Sequence, residues 1–188
     1  MTPHQTGHGS SPNLSRNSSG LTLPELLISL SVTSIVMFAA LDLLPRWIHS
    51  NRMAGEVNRF VAALQLARSE AVKQGRRQVL CPKTKQHFCG RADDWRHGWL
   101  LFASDDREPD SDETPRLEAP PLADFIDMHS GNHRKRIVYQ PDGSSPGTNS
   151  SFTFCDKQGY AKPRVICLAN TGRPRTSHTR CDGKPISC

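Results

Sequence analysis

The most apolar part of the chain is a run of residues near its beginning. No charged residue occurs from Leu26 to Leu41, and after Asp42 the apolar character resumes as far as Leu44. In helical form these roughly 19 residues would extend about 28 Å, which is enough to cross the hydrocarbon core of a bilayer. Pro45 follows and is expected to end or kink the helix, because its ring removes a backbone hydrogen bond. The pattern therefore predicts a membrane-spanning helix within residues 21–48.

A second helical stretch is predicted after this proline, because apolar side chains then recur at steps of three and four residues. The recurring positions are Val57, Phe60, Val61, Leu64, Ala67 and Ala71. Charged and polar residues fall largely between them, and Gly75 provides a stop signal just after Gln74. We expect an amphipathic helix over residues 49–75 whose apolar stripe packs on the protein's own sheet.

Short apolar runs separated by turn residues follow, a pattern typical of an antiparallel sheet. The segment Ala103–Asp124 is rich in Asp, Glu and Pro and is predicted to be an exposed loop. The predicted fold class is α+β, with one long N-terminal helix packed on a small antiparallel sheet and a β-rich head over residues 76–188. The candidate strands are Gln78–Cys81, Trp99–Phe102, Arg136–Gln140, Ser151–Phe154 and Arg164–Leu168.

All six cysteines lie beyond the apolar run, and their even number favours disulfides in an oxidising compartment. Zinc is the alternative, since Cys81, His87 and Cys89 lie close together. However, no Cys-x-x-Cys pair is present, so we expect no metal. Proximity along the chain suggests the pairs Cys81–Cys89, Cys155–Cys167 and Cys181–Cys188.

The net charge of +6 at pH 7 is unevenly distributed along the chain. Residues 105–127 carry nine acidic and two basic side chains, whereas residues 156–188 carry seven basic and two acidic ones. A basic C-terminal third suits a polyanionic partner. Within it, Arg173 and Arg175 flank Pro174. In an extended backbone the two arginines would leave the same face about 7 Å apart, near the spacing of phosphates along a nucleic-acid strand.

The alternative for these arginines is a solvated strand edge or an ion pair with the acidic segment, since cations commonly protect exposed edges. No aromatic residue accompanies the tail, so base stacking has little support and nucleic-acid binding would be sequence-independent and sensitive to salt. Further candidate phosphate contacts are Lys162, Arg164, Arg180 and Lys184, together with the cluster His133–Arg136.

A distinctive signature precedes the apolar run, from Gly20 through Leu21-Thr22-Leu23-Pro24 to Glu25. Glu25 lies at the front edge of the apolar run, where a lone carboxylate is costly in lipid and needs a partner. A secretory signal peptide would place its cleavage site after the apolar core, so the order observed here argues against one. A plain membrane anchor is the other alternative.

This stretch resembles the class III signal of type IV pilins and pseudopilins, with Leu21 where Phe is usual. The resemblance implies that residues 1–20 are a leader, which a prepilin peptidase removes by cutting after Gly20 before it methylates the amine of Leu21. It also implies that Glu25 pairs with the free amine of a neighbouring subunit during assembly. The subunit would lie in the inner membrane with a single pass and its head in the periplasm, and later in an extracellular pilus.

The rest of the chain resembles the GspH/FimT group of minor pilins. The similar segments are the helix Asn58–Gly75, Val79–Pro82, the Trp-x-x-Gly-Trp block in Asp94–Phe102, and Thr171–Arg175. In FimT-type pilins a Gly-Arg-x-Arg element is linked to DNA binding in natural transformation. The resemblance thus implies a structural subunit with no cofactor, whose partners are other pilins and double-stranded DNA. Here the DNA contacts would be Arg173 and Arg175.

Two other functions share the same signal. One is a GspH-like minor pseudopilin of type II secretion, which would have a structural role and no nucleic-acid partner. The other is a pilin at the filament tip that primes assembly. An enzyme is not expected, because the chain has no Gly-x-Ser-x-Gly, phosphate-binding loop or His-Glu-x-x-His motif.

Overall fold

A computed structural model of the chain describes residues 20–84, 88–90, 94–103, 114–147 and 149–188. The predicted leader, apart from Gly20, lies outside these ranges, as do residues 105–113 of the acidic segment and His87. The chain divides into two units, Met1–Leu41 and Asp42–Cys188. We describe each by itself.

A single helix, α1, runs from Leu23 to Gln74. Of the two effects predicted for Pro45, an end of the helix is wrong, because the helix continues through this residue, whereas a kink stays a prediction. An interior proline costs a helix about 3 kcal/mol; we attribute the continuation to the long apolar and packed stretches on either side. By length and composition, α1 is the one helix in the described ranges that is long and apolar enough to cross a membrane.

The first unit consists of the N-terminal part of α1, whose large apolar side chains are exposed. Four hydroxyl side chains interrupt the apolar surface. Each donates a hydrogen bond of 2.7–2.8 Å to a backbone carbonyl one turn earlier, so each has a partner within the helix itself. This arrangement suits an apolar surrounding, in which water is not available as a partner. The four residues are Ser29, Ser31, Thr33 and Ser34.

The head contains two four-stranded sheets, whereas the sequence predicted one. All pairings are antiparallel, with strand orders β3-β2-β1-β5 in sheet 1 and β4-β6-β7-β8 in sheet 2. A 3-10 turn at Gly131–His133 follows β4. The strands are β1 Gln78–Pro82, β2 Trp99–Ala103, β3 Leu117–Glu118, β4 Ile126–Ser130, β5 Ile137–Tyr139, β6 Ser150–Asp156, β7 Arg164–Leu168 and β8 Pro174–Ser177.

Five of these strands correspond to the predicted ones, with ends that differ by at most two residues. The exposed loop predicted over Ala103–Asp124 is wrong in its second half, where β3 pairs with β2 and both Ala119 and Leu122 are buried. Two further strands, β4 and β8, were not predicted, because polar side chains outnumber apolar ones in their sequences. Both edge strands of sheet 2 are thus polar, and each is held by backbone pairing, β4 with β6 and β8 with β7.

The core of the head lies between one face of α1 and the inner faces of the two sheets. The predicted apolar stripe of the helix faces this core, since Val57, Phe60, Leu64, Ala67 and Ala71 are fully or almost fully buried. Burial of large apolar side chains is the main stabilising contribution in a head of this size. The strand residues that meet the helix are Leu80, Trp99, Leu101, Ile126, Met128, Ile137, Tyr139, Phe152, Phe154, Ile166 and Leu168.

The six cysteines form three disulfides. The predicted Cys81–Cys89 pair is confirmed, and it occupies both cysteines of the alternative zinc site. The other two predicted pairs are wrong, because Cys155 bonds to Cys188 and Cys167 bonds to Cys181.

Strand register explains this correction. In the β6–β7 pair, Cys167 lies opposite Ser151, four residues along β6 from Cys155. Four residues of a strand extend about 13 Å, beyond the roughly 7 Å between Cα atoms that a disulfide can bridge. Cys155 therefore needs a partner from another part of the chain, and the C-terminal segment supplies it.

Candidate functional site

The Gly-Arg-Pro-Arg element lies at the beginning of β8, the edge strand of sheet 2. A turn precedes it, closed by a hydrogen bond of 2.9 Å from the Gly172 N–H to the Ala169 carbonyl. Gly172 has a φ of +74°, and a Cβ atom at this position would lie 2.2 Å from the Gly143 carbonyl oxygen. Only glycine fits both the backbone conformation and the close approach of the neighbouring turn. The contact with the Gly143 turn therefore fixes the position of the backbone from which the Arg173 side chain extends.

Arg173 is exposed and lines a groove of about 790 Å³ between the C-terminal end of α1 and the two turns. Two further cations line the groove, Arg68 and Lys73, both on α1. Asp142 is the one carboxylate among the lining residues. Its pKa is held below the usual range, first by the hydroxyl and then by the backbone N–H of Ser144, which donate hydrogen bonds of 2.6 and 2.8 Å. The groove is therefore positive overall.

Arg175 lies on the opposite face of sheet 2 from the core. It pairs with Cys167 on β7, and directly opposed residues of antiparallel strands share a face. The neighbouring Ile166 and Leu168 point into the core, so Cys167 and Arg175 point outwards. Because β8 begins at Pro174, Arg173 lies before the strand. The sequence allowed both arginines to lie in one extended strand, but only Arg175 lies within β8.

The C-terminal segment crosses the same outer face of sheet 2 as Arg175. The Cys167–Cys181 and Cys155–Cys188 disulfides attach it to β7 and β6 at two points. Arg180 and Ile186 from this segment line a cavity of about 200 Å³ with strand residues such as Thr153 and Val165. Two of the predicted cations are thereby brought to the face that carries Arg175: Arg180 and Lys184.

These two tail cations share a carboxylate. The Arg180 Nε lies 3.7 Å and the Lys184 Nζ 4.0 Å from Asp182, and all three side chains are exposed. Exposed pairs of this geometry contribute little to stability. The backbone N–H of Lys184 and then the two cations hold the pKa of Asp182 below its usual range, although burial opposes them. The tail therefore has a smaller net positive charge than its count of cations suggests.

The remaining predicted contacts lie apart from the Gly-Arg-Pro-Arg element. Arg164 pairs with Phe154 at the far end of β7, and by alternation it shares the face of Ile166, not that of Arg175. Lys162 is exposed in the turn before β7. The His133–Arg136 cluster begins at the last residue of the 3-10 turn and ends just before β5, and none of its residues lines the groove.

Neither Arg173 nor Arg175 forms an ion pair within the described ranges. Six of the nine acidic side chains of the segment 105–127, the alternative partner expected from the sequence, lie outside those ranges. The signal residues also lie on the surface, since Gly20 and Leu21 precede α1 and Glu25 is in its exposed first turn. Among the described side chains, no group of His, Cys, Asp and Glu could hold a metal ion.

A partly buried contact between a histidine and an aspartate, which the sequence did not predict, lies at the other end of the head. Asp156 accepts hydrogen bonds from the N–H groups of Gln158 and Ala161 at 2.9 and 2.8 Å, and His49 Nδ1 on α1 lies 2.9 Å from it. The His49 ring packs on Phe125 with ring centroids 3.9 Å apart. Burial by itself would raise the pKa of Asp156, but these partners outweigh it and hold the pKa below the usual range. The pair connects α1 to the end of β6.

The Asp156→Asn variant is expected to be less stable than the wild type by about 1–3 kcal/mol at pH 7, because its amide nitrogen replaces one of the two oxygens that accept the Gln158 and Ala161 N–H bonds and cannot accept in its place. Since the pKa of Asp156 is lower in the folded than in the unfolded chain, its stabilising effect is present above about pH 4 and is lost as pH falls through the folded value. Urea unfolding of both proteins from pH 7 to pH 3 measures this. If the wild type and Asp156→Asn lose the same free energy of unfolding on acidification, Asp156 is not the group that makes the head sensitive to acid.

Comparison with known protein families gives two matches. A model of the family described as "Type II transport protein GspH" matches residues 56–172, and a model of the prokaryotic N-terminal methylation motif matches residues 15–41. No curated protein sequence matches significantly. The methylation motif model includes Gly20, Leu21 and Glu25, in agreement with the signal resemblance.

Two solved structures of the type IV minor pilin FimU from Pseudomonas aeruginosa PAO1 are similar in fold. In the P21 crystal form the TM-score is 0.57 at 19% identity, over 70% of this chain and 92% of that one. In the P65 form the TM-score is 0.52 at 20% identity, over 64% and 88%. The matched family model spans more than half of the 188 residues. The chain therefore belongs to the GspH family of type IV minor pilins and pseudopilins, structural subunits that are processed at the methylation motif and act in the assembly of a pilus or a secretion system.

Proposed function

We propose that this protein is a FimT-like minor pilin that binds extracellular double-stranded DNA without sequence preference, as a step in natural transformation. The observation that carries the proposal is the Gly172-Arg173-Pro174-Arg175 element, whose two arginines are exposed, held by an ordered backbone and free of ion pairs in the described part of the chain. A cation that is already paired would have to break that pair to bind phosphate. Arg173 and Arg175 can bind phosphate without first breaking an ion pair.

Rigidity supports the same conclusion. Gly172 is held by the neighbouring turn, Pro174 has a fixed φ, and Arg175 is hydrogen-bonded through β8 to β7. Contacts that are already ordered lose less conformational entropy when they bind. Arg180 and Lys184 extend the basic surface on the face of Arg175, and the two disulfides limit how far the segment that bears them can move.

In this proposal the N-terminal signal directs the protein to a filament. Residues 1–20 are the leader, Leu21 becomes the methylated N-terminus and Glu25 pairs with the amine of a neighbouring pilin. The apolar part of α1 holds the subunit in the inner membrane with its head in the periplasm until it enters the pilus. The basic element is on the head, so it would be carried outwards with the filament.

The test is a gel-shift titration of the full chain in a non-ionic detergent against a duplex of random sequence, at several salt concentrations. The Arg173→Ala/Arg175→Ala variant is expected to bind at least about tenfold more weakly, with a salt slope lower by about 2. A matched control removes two exposed arginines of α1, Arg46 and Arg52. A wild-type chain that fails to bind at low salt, or a double variant equal to the control, would refute the proposal.

A second candidate function is a minor pseudopilin of type II secretion, without a nucleic-acid partner. The observation that favours it is the family model itself, which bears the name of a type II transport protein. The two functions differ in a cell. If the Arg173→Ala/Arg175→Ala allele lowers transformation frequency while filaments and secretion remain normal, DNA binding is supported; a loss of secretion on deletion of the gene would support the pseudopilin.

A further inference from the structure

We infer that the DNA-binding surface continues from β8 onto α1, where Arg68 and Lys73 contact the same phosphate backbone as Arg173. This inference rests on the proposed function and adds two residues that the sequence assigned to the solvent side of an amphipathic helix. All three cations line the one groove between α1 and the turns at Asp142 and Gly172. The ligand class is a phosphodiester backbone.

Arg68 is oriented by the turn that also fixes Arg173. Its Nε donates a hydrogen bond of 3.0 Å to the Gly143 carbonyl, and the same carbonyl oxygen is the atom that a Cβ at position 172 would approach to 2.2 Å. The Gly143 turn therefore contacts both α1, through Arg68, and the Gly172 turn. Across the ranges described, no other hydrogen bond is recorded for the Arg68 guanidinium, so its remaining N–H groups are available to a ligand.

Lys73 lies in the last turn of α1 and is exposed, with no ion pair among the described residues. The one carboxylate of the groove, Asp142, offsets only one of the three positive charges, and among the described residues it forms no ion pair with them but accepts its hydrogen bonds from Ser144. Three cations against one carboxylate leave the groove with a net positive charge, which attracts a polyanion. A row of phosphates fits this better than a single small anion, since the groove has a volume of about 790 Å³, is lined by eight residues and is open to solvent.

The decisive variant is Lys73→Gln, because this side chain makes no recorded contact whose loss would disturb the fold. In the same titration, Lys73→Gln and Arg68→Gln are each expected to lower the salt slope of duplex binding by about 1. Arg52→Gln is the matched control, since it removes one exposed cation from the same helix about 24 Å before Arg68 at the helical rise. Its salt slope is expected to equal that of the wild type.

A second measurement reads the contact directly. Saturation with duplex is expected to slow acetylation of Lys73 several-fold, whereas acetylation of the exposed Lys157, next to Asp156 at the other end of the head, stays unchanged; peptide mass spectrometry follows both. If Lys73→Gln matches Arg52→Gln and Lys73 is not protected, while Arg173→Ala/Arg175→Ala still loses binding, the extension onto α1 is refuted and the proposed function stands. If the wild type does not bind duplex at all, the proposed function itself is refuted.

Discussion

The Gly172→Ala variant is expected to lose about 2–3 kcal/mol of stability and with it most of its affinity for DNA. Two effects add at this position. An alanine at the φ of +74° is disfavoured by about 1–2 kcal/mol relative to glycine. Its Cβ would also lie 2.2 Å from the Gly143 carbonyl oxygen, and a backbone atom cannot move aside as a flexible side chain can. The two turns must separate, which displaces Arg173 from Arg68 and Lys73.

The chain contains a matched control for this prediction. Gly159 has the same φ of +74°, but no atom lies within 4 Å of where its Cβ would be. Gly159→Ala therefore reports the conformational effect alone, and it should leave DNA binding unchanged. Urea unfolding followed by tryptophan fluorescence compares the two variants. If Gly172→Ala is no less stable than Gly159→Ala, the Gly172 turn does not pack on Gly143.

The Phe60→Ala variant is expected to lose about 3–5 kcal/mol, the range measured for large buried aromatic residues. Phe60 is fully buried at the point where α1 meets both sheets. Its ring centroid lies 5.5 and 4.9 Å from those of Trp95 and Trp99, and 5.0 and 6.1 Å from those of Phe152 and Phe154. These are edge or tilted contacts, which add to the effect of burial. The cavity left by alanine would have walls on three different elements.

The total stability of a domain is typically about 5–15 kcal/mol, so this loss would leave the head only marginally folded. Leu66→Ala is the control, because Leu66 lies on the same helix but is 38% exposed, and exposed substitutions usually change stability by about 0.5 kcal/mol or less. Thermal unfolding in detergent measures both variants. A Phe60→Ala protein as stable as Leu66→Ala would mean that the helix and the sheets do not share one core.

Sequence patterns predicted the parts of the fold in which burial is periodic. The apolar stripe that contains Phe60 and Leu64 gave the amphipathic helix, and continuous apolar runs gave β1, β2 and β7. The prediction that Pro45 could end the helix was wrong, because a local rule on backbone hydrogen bonds does not account for how strongly the flanking residues stabilise the helix. The free-energy cost of a proline inside the helix is smaller than the stabilisation that the residues on either side of it contribute, so the helix continues.

Strands β4 and β8 were not predictable from their own residues. β8 has the sequence Pro-Arg-Thr-Ser, with no large apolar residue, and its place depends on pairing with Cys167 and Ile166 of β7. For the same reason, the sequence identified Arg173 and Arg175 as a candidate pair but could not show that Arg173 faces α1. The contribution of Arg68 was equally hidden, because it depends on contacts 75 residues apart in the chain.

The connectivity of two disulfides has a consequence for how the protein is made. Cys167–Cys181 is nested within Cys155–Cys188, and these bonds close loops of 14 and 33 residues. In an unfolded chain, closing shorter loops costs less entropy, so the neighbouring pairs Cys155–Cys167 and Cys181–Cys188 are favoured there. Oxidation that precedes strand pairing would therefore produce the wrong isomer first.

Conversion of that isomer requires thiolate attack on an existing disulfide and exchange of partners, which takes seconds to hours without a catalyst. Sheet 2 acts as the template for the correct isomer, since only its register separates Cys155 from Cys167. We therefore expect a disulfide isomerase to be needed for efficient maturation of the head. A host that oxidises thiols quickly but reshuffles them slowly should accumulate subunits that carry the signal of a pilin but lack its basic face.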